Sequence, residues 1–121
     1  MAALNELART KVATVTGVDM KTAASTTLYT VPTEKSFIPT SVVIRNNSAS
    51  LAGGTSYSFT GWLQTVDLSG MTTASTTYRI LQSTTNTSYT VAIAGSTFQI
   101  TVTTGSSVAC TATVDVWGYL I

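Results

Sequence analysis

The chain has 121 residues, a formal net charge of +1 and only 9% charged residues. The length suits one domain, and 44% hydrophobic content argues against wholesale disorder. The six basic residues, Arg9, Lys11, Lys21, Lys35, Arg45 and Arg79, form no run, which argues against nucleic-acid binding, because phosphate neutralisation needs a clustered basic face.

Charged residues make up about 25% of a typical domain. Here Ser and Thr take the exposed positions instead. A hydroxyl-coated surface of this kind suits contact with other protein or with a particle surface, as well as an ordinary Thr-rich β-domain. No apolar stretch reaches the roughly 18 residues of a membrane-spanning helix. The start, MAALNELARTK, lacks the apolar core of a signal peptide. A single cysteine, Cys110, excludes an internal disulfide, so assembly in a reducing cytoplasm is the simplest reading.

Residues 1–10 differ in pattern from the rest. Leu4, Leu7 and Ala8 sit at helix-compatible spacing, with Glu6 and Arg9 among them. So short a helix is marginal in water, which leaves an arm that frays or docks on a neighbour. From residue 11 to 121 the sequence reads as one β-domain. Lys11 to Met20 is a first strand, weakened at Gly17, and Ser25 to Val31 a second. Pro32 to Lys35 is a turn. Phe37 to Asn46 is a third strand, in which Pro39 marks an edge or a bulge because it cannot donate to a ladder.

Asn46 to Thr55 and Ser69 to Thr76 are loops by their Asn, Ser and Gly content. Between them Tyr57, Phe59 and Leu63 alternate with Ser58, Thr60, Trp62 and Gln64. Thr77 to Gln82 is a short strand, and Tyr89, Val91 and Ile93 mark another. The chain closes in a hairpin. Phe98, Ile100 and Val102 alternate with polar residues, Thr104 to Ser107 turns, and Val108 to Leu120 follows in strict period two. Val108, Cys110, Ala112, Val114, Val116, Gly118 and Leu120 form its apolar face, with Cys110 a small buried hydrophobe. About eight strands with recurring turns predict an all-β, antiparallel two-sheet sandwich, jelly-roll-like, with an immunoglobulin-like order as the alternative.

Chemistry-bearing patterns are sparse. The chain contains no histidine, which removes the commonest general base, metal ligand and serine-triad partner. One cysteine without histidine cannot build the usual zinc site. No phosphate-binding or nucleophile-elbow motif occurs, so no catalytic, cofactor or metal residue is predicted. The five carboxylates are Glu6, Asp19, Glu34, Asp67 and Asp115. Asp19 with Asp67 would be the pair for a calcium ion, against the plainer reading of solvated loop carboxylates. The aromatic residues are more informative. Trp62, Trp117 and Tyr119 fall opposite the apolar strand faces and so point outward, either to be covered by a loop or the N-terminal arm of the same chain or to serve between subunits, where Trp and Tyr are favoured interface anchors. With Leu4 and Leu7 of the arm they form the predicted interface set.

The segments Leu28-Tyr29-Thr30-Val31-Pro32 and Lys35-Ser36-Phe37-Ile38-Pro39-Thr40, with the terminal Val116-Trp117-Gly118-Tyr119-Leu120, resemble small β-sandwich virion proteins of tailed bacteriophages. Within that group the resemblance is greatest to head decoration, or cement, proteins. It implies a homo-oligomer, often a trimer, seated on the major capsid protein at the virion surface. Its arm would reach a neighbour, and the module would stabilise the head by bridging subunits. It carries over no catalytic residue, cofactor, nucleic acid or membrane. A receptor- or carbohydrate-binding module of a tail or head fibre is the competing expectation, although no repetitive fibre shaft is present.

Overall fold

The computed structural model describes residues 9–61, 65–75, 78–82 and 94–121. Seven strands follow in order: β1 (Thr10–Asp19), β2 (Ser25–Thr30), β3 (Phe37–Arg45), β4 (Ser56–Phe59), β5 (Arg79–Gln82), β6 (Thr97–Thr104) and β7 (Thr111–Leu120). No helix occurs among the described residues. The strands form two antiparallel sheets, one ordered β1-β7-β3-β5 and the other β2-β6-β4. Successive strands thus alternate between the sheets throughout, and a further antiparallel bridge, Tyr57 to Val66, falls between β4 and β5 along the chain. That bridge extends the three-stranded sheet beyond β4, and the resulting order is that of a jelly roll. The expected strand at Tyr89, Val91 and Ile93 lies outside the described residues.

The core forms where the two inner faces meet. β4 and β6 alternate as their sequences require, with Tyr57, Phe59, Phe98, Ile100 and Val102 buried. Opposite them lie Val18, Phe37, Val42, Ile44, Ala112, Val114 and Val116 of the larger sheet. Phe98 stacks on Phe59 at 6.0 Å between ring centroids and meets Phe37 edge-on at 6.0 Å. Tyr29 meets the other side of Phe37 edge-on at 5.1 Å. Such ring pairs add to the stabilisation from buried area alone.

Pro39 stands at a bulge. The β3–β7 register shifts between Pro39 and Ser41, which reverses which side chains face the core. Phe37 and Pro39 therefore point inward before the bulge, and Val42 and Ile44 after it. A missing N–H does no harm there, because β5 pairs only with Ser41 to Ile44.

Strand β7 departs from its expected form in two ways. It begins at Thr111, and Val108 is 49% exposed. Residues 105–110 instead form a wider loop. There Ser106 donates from Oγ to the Val108 carbonyl at 2.7 Å, and the Ser107 N–H reaches the Ala52 carbonyl at 2.9 Å. The second departure is that both faces are covered: Thr113 and Asp115 are buried along with Ala112 and Val114. The strand order explains this, since β7 lies between β1 and β3 and their side chains close over it.

One end of the sandwich is tied together through its loops. Met20 N–H bonds to the Cys110 carbonyl, Ser48 to Thr111, Leu51 to Met71, Leu68 to Gly54, Ser106 to Met20 and Ser75 to Asn47, all at 2.8–3.0 Å. Tyr57 adds a buried hydroxyl bond to the Met20 carbonyl at 2.8 Å. Asn47 is fully buried and spans two loops, its Nδ2 donating to the Ala49 and Thr73 carbonyls.

Candidate functional site

The outer face of the four-stranded sheet carries the most distinctive surface chemistry. Its register aligns Ile38 with Tyr119, Ser41 with Trp117 and Val43 with Asp115 across β3 and β7. β5 adds Ile80 beside Val43, and β1 adds Lys11 beside Trp117 and Thr14 beside Asp115. Directly paired residues share a face, so these side chains form one continuous surface. Its middle is a shallow concavity of about 280 Å³ lined by Arg9, Ser41, Val43, Ile80 and Trp117. Ile80 is 55% exposed and Tyr78, just before β5, is 66% exposed. Single exposed apolar side chains are ordinary, whereas clustered exposure marks an interaction site more often than scattered exposure does.

The polar part of this face is an ordered network. Asp115 Oδ2 accepts from Arg45 Nε at 2.8 Å, and its Oδ1 accepts from Thr14 Oγ1 at 2.7 Å. Arg45 Nη2 reaches Oδ1 at 3.4 Å, completing a forked contact. Burial alone would raise the Asp115 carboxyl, but the hydrogen bonds from Arg45 and Thr14 and the Arg45 charge outweigh it and hold it below the usual range. This is the only contact ion pair among the described residues; Lys11, on the same face, also lowers the Asp115 carboxyl through its charge, and Arg9 at the concavity makes no contact ion pair among those residues.

The predicted interface set divides. Trp117 lies on the outer face and lines the concavity, and Tyr119 lies on the same face, half-buried opposite Ile38. Leu4, Leu7 and Trp62 lie outside the described residues. Sequence patterns did not single out Arg9, Ser41, Val43, Tyr78 or Ile80. The signal for Val43 was present in the run Val42-Val43-Ile44, since three consecutive apolar residues on a strand give both faces an apolar member.

Asp19 and Asp67 serve their own loops. Asp19 accepts from the Lys21 and Thr22 N–H groups at 2.8 and 3.1 Å, and Asp67 accepts from the Ser69 N–H at 2.9 Å. These are turn-stabilising contacts. Hydrogen bonding from Thr22 and Lys21 lowers the Asp19 carboxyl, and bonding from Ser69 lowers that of Asp67. Among the described residues no three His, Cys, Asp or Glu side chains gather as a metal site. Cys110 is buried, its thiol 3.4 Å from the Ala49 carbonyl. No helix among those residues is long and apolar enough to cross a membrane. No protein-family model, curated protein or solved structure matches the chain.

Proposed function

We propose that this chain is a structural virion protein of a tailed phage, a decoration or cement protein that stabilises the head by bridging neighbouring subunits of the shell. The observation that carries the reading is the outer sheet face, where Trp117, Val43 and Ile80 present an apolar concavity on a surface otherwise coated with Ser and Thr. Such a face gains by burial against protein. The knitted loop end supports it too, because a clamp must not deform when loaded. The partners are then the major capsid protein and further copies of this chain, most simply as a trimer, with the arm at residues 1–10 reaching across.

Stabilisation would act by mass action. A module that binds only the assembled shell shifts its equilibrium by about 2.7 kcal/mol at a hundred-fold excess over Kd, and many copies multiply the effect. The test adds purified protein to particles lacking it, heats them and follows genome release. The expected result is saturable binding in large copy number and a higher release temperature. Binding without such a rise would remove the cement reading. It would favour receptor or glycan binding instead, for which Trp117 beside the Ser41 hydroxyl and the Arg9 guanidinium offers a stacking ring with polar neighbours.

A further inference from the structure

The concavity on the outer sheet face lies beside the point where the described chain begins. Arg9, the first described residue, lines it. The eight residues before Arg9, MAALNELA, include Leu4 and Leu7 as large apolar side chains and Glu6 as their one charged side chain. The concavity has the complementary character. Val43, Ile80 and Trp117 give it an apolar lining, and Arg9 in that lining makes no contact ion pair among the described residues, with Lys11 beside Trp117 adding positive charge that Asp115 shares.

The sheet register decides whose arm fits. Thr10 pairs with Gly118 and Lys11 with Trp117, so β1 traced backwards leaves the sheet toward Tyr119 and Leu120. Val43 and Ile80 lie level with Asp115 and Thr14, on the opposite side of that exit. An arm entering its own concavity would have to reverse direction at once. Residues 1–9 contain neither Gly nor Pro, and Asn5 is the one residue there of a type that favours tight reversals. Continued onward, eight residues span up to about 26 Å, enough to reach an adjacent molecule.

We propose that residues 1–8 of one copy seat in the Trp117–Val43–Ile80 concavity of a second copy. Leu4 and Leu7 supply the apolar contact, and Glu6 supplies the charge that meets Arg9 and Lys11. This names the acceptor for the bridging arm of the proposed function and rests on that reading. Donor and acceptor are different patches, so the contact is heterologous, which generates a ring of copies when the rotation between them closes.

Two variants separate the halves of the contact. A chain lacking residues 1–8 keeps only the acceptor. The full chain with Ile80→Asp keeps only the donor, and Ile80 is exposed on an edge strand, so the sandwich tolerates the change. Far-UV circular dichroism and melting of each variant, matched to the parent, establish that both are folded. Sedimentation velocity at micromolar concentration should show the full chain as an oligomer and each variant as a monomer. Mixed in equal amounts, the two variants should form a heterodimer. Glu6→Lys, and Leu4→Ser with Leu7→Ser, should each weaken that heterodimer by about tenfold or more. A monomeric full chain, a truncated chain that associates as tightly as the parent, or a mixture without heterodimer overturns the proposal. A monomeric full chain that still binds particles and raises their release temperature would sink the arm contact alone and leave the shell reading standing.

Discussion

Asp115 is a carboxylate in the middle of a sheet, and its protonation should be felt by the whole fold. Because its folded pKa is depressed, its contribution is present above the unfolded carboxylate value near about 3.9 and is lost as pH falls through the folded value. Asp115→Asn should therefore lower the melting temperature at neutral pH, and the gap to the parent should narrow as pH falls below 4, since the parent is then protonated as well. Melting curves across that range check the sign. Tyr57 titrates in the other direction: burial pushes its hydroxyl up to about 12. Its stabilising contribution holds below the unfolded value near about 10 and declines as pH rises toward the folded one. Tyr57→Phe removes the bond to the Met20 carbonyl, but that carbonyl still accepts from the Ser106 N–H at 3.0 Å. No acceptor is stranded, so the loss at neutral pH should be about 1 kcal/mol by denaturant titration. Alkaline unfolding should then begin at higher pH than in the parent.

Among the elements, β7 leaves least room for change. Gly118 faces Pro39 across the bulge, and a Cβ there would land on the Ile38 carbonyl oxygen and the Phe37 ring. Gly118→Ala should cost about 3 kcal/mol, because backbone and a fully buried ring would both have to move. A denaturant midpoint near the parent's would contradict this. The alternation of β7, β4 and β6 was legible in the sequence because a period of two is written directly in the residue types. So was the placement of Trp117 and Tyr119 on the outer face. The bulge was legible from Pro39, although the reversal of face that follows it was not, since it depends on which residue opposite is skipped. The burial of Thr113 and Asp115 was hidden as well. Polar residues in the outward register read as solvent-facing until the neighbours of β7 are known, and those neighbours come from distant parts of the chain. The concavity was hidden for the same reason, as Arg9, Ser41, Ile80 and Trp117 lie on four different strands or their ends and share no local pattern.

For the molecule as a whole, the tied loop end should behave as part of the core. The amides of Met20, Ser48, Leu51, Leu68 and Ser106 each donate to a carbonyl in another segment or across a turn. They should exchange with solvent nearly as slowly as those of β7, whereas loop amides ordinarily exchange fast. Hydrogen-exchange mass spectrometry distinguishes the two outcomes. The position of β7 between β1 and β3 has a consequence of a different kind, for the order of events during synthesis. The first strand of the large sheet finds its ladder partner only in residues more than 90 positions later, as in the pairing of Lys11 with Trp117. Until those residues leave the ribosome, β1 and β3 have no strand to pair with between them. A nascent chain halted before Thr111 would expose their unpaired edges and apolar faces to any neighbour on the same message. Completion of the large sheet is then a late event that waits for β7, and pairing over such sequence distances makes it slow for a chain of this size.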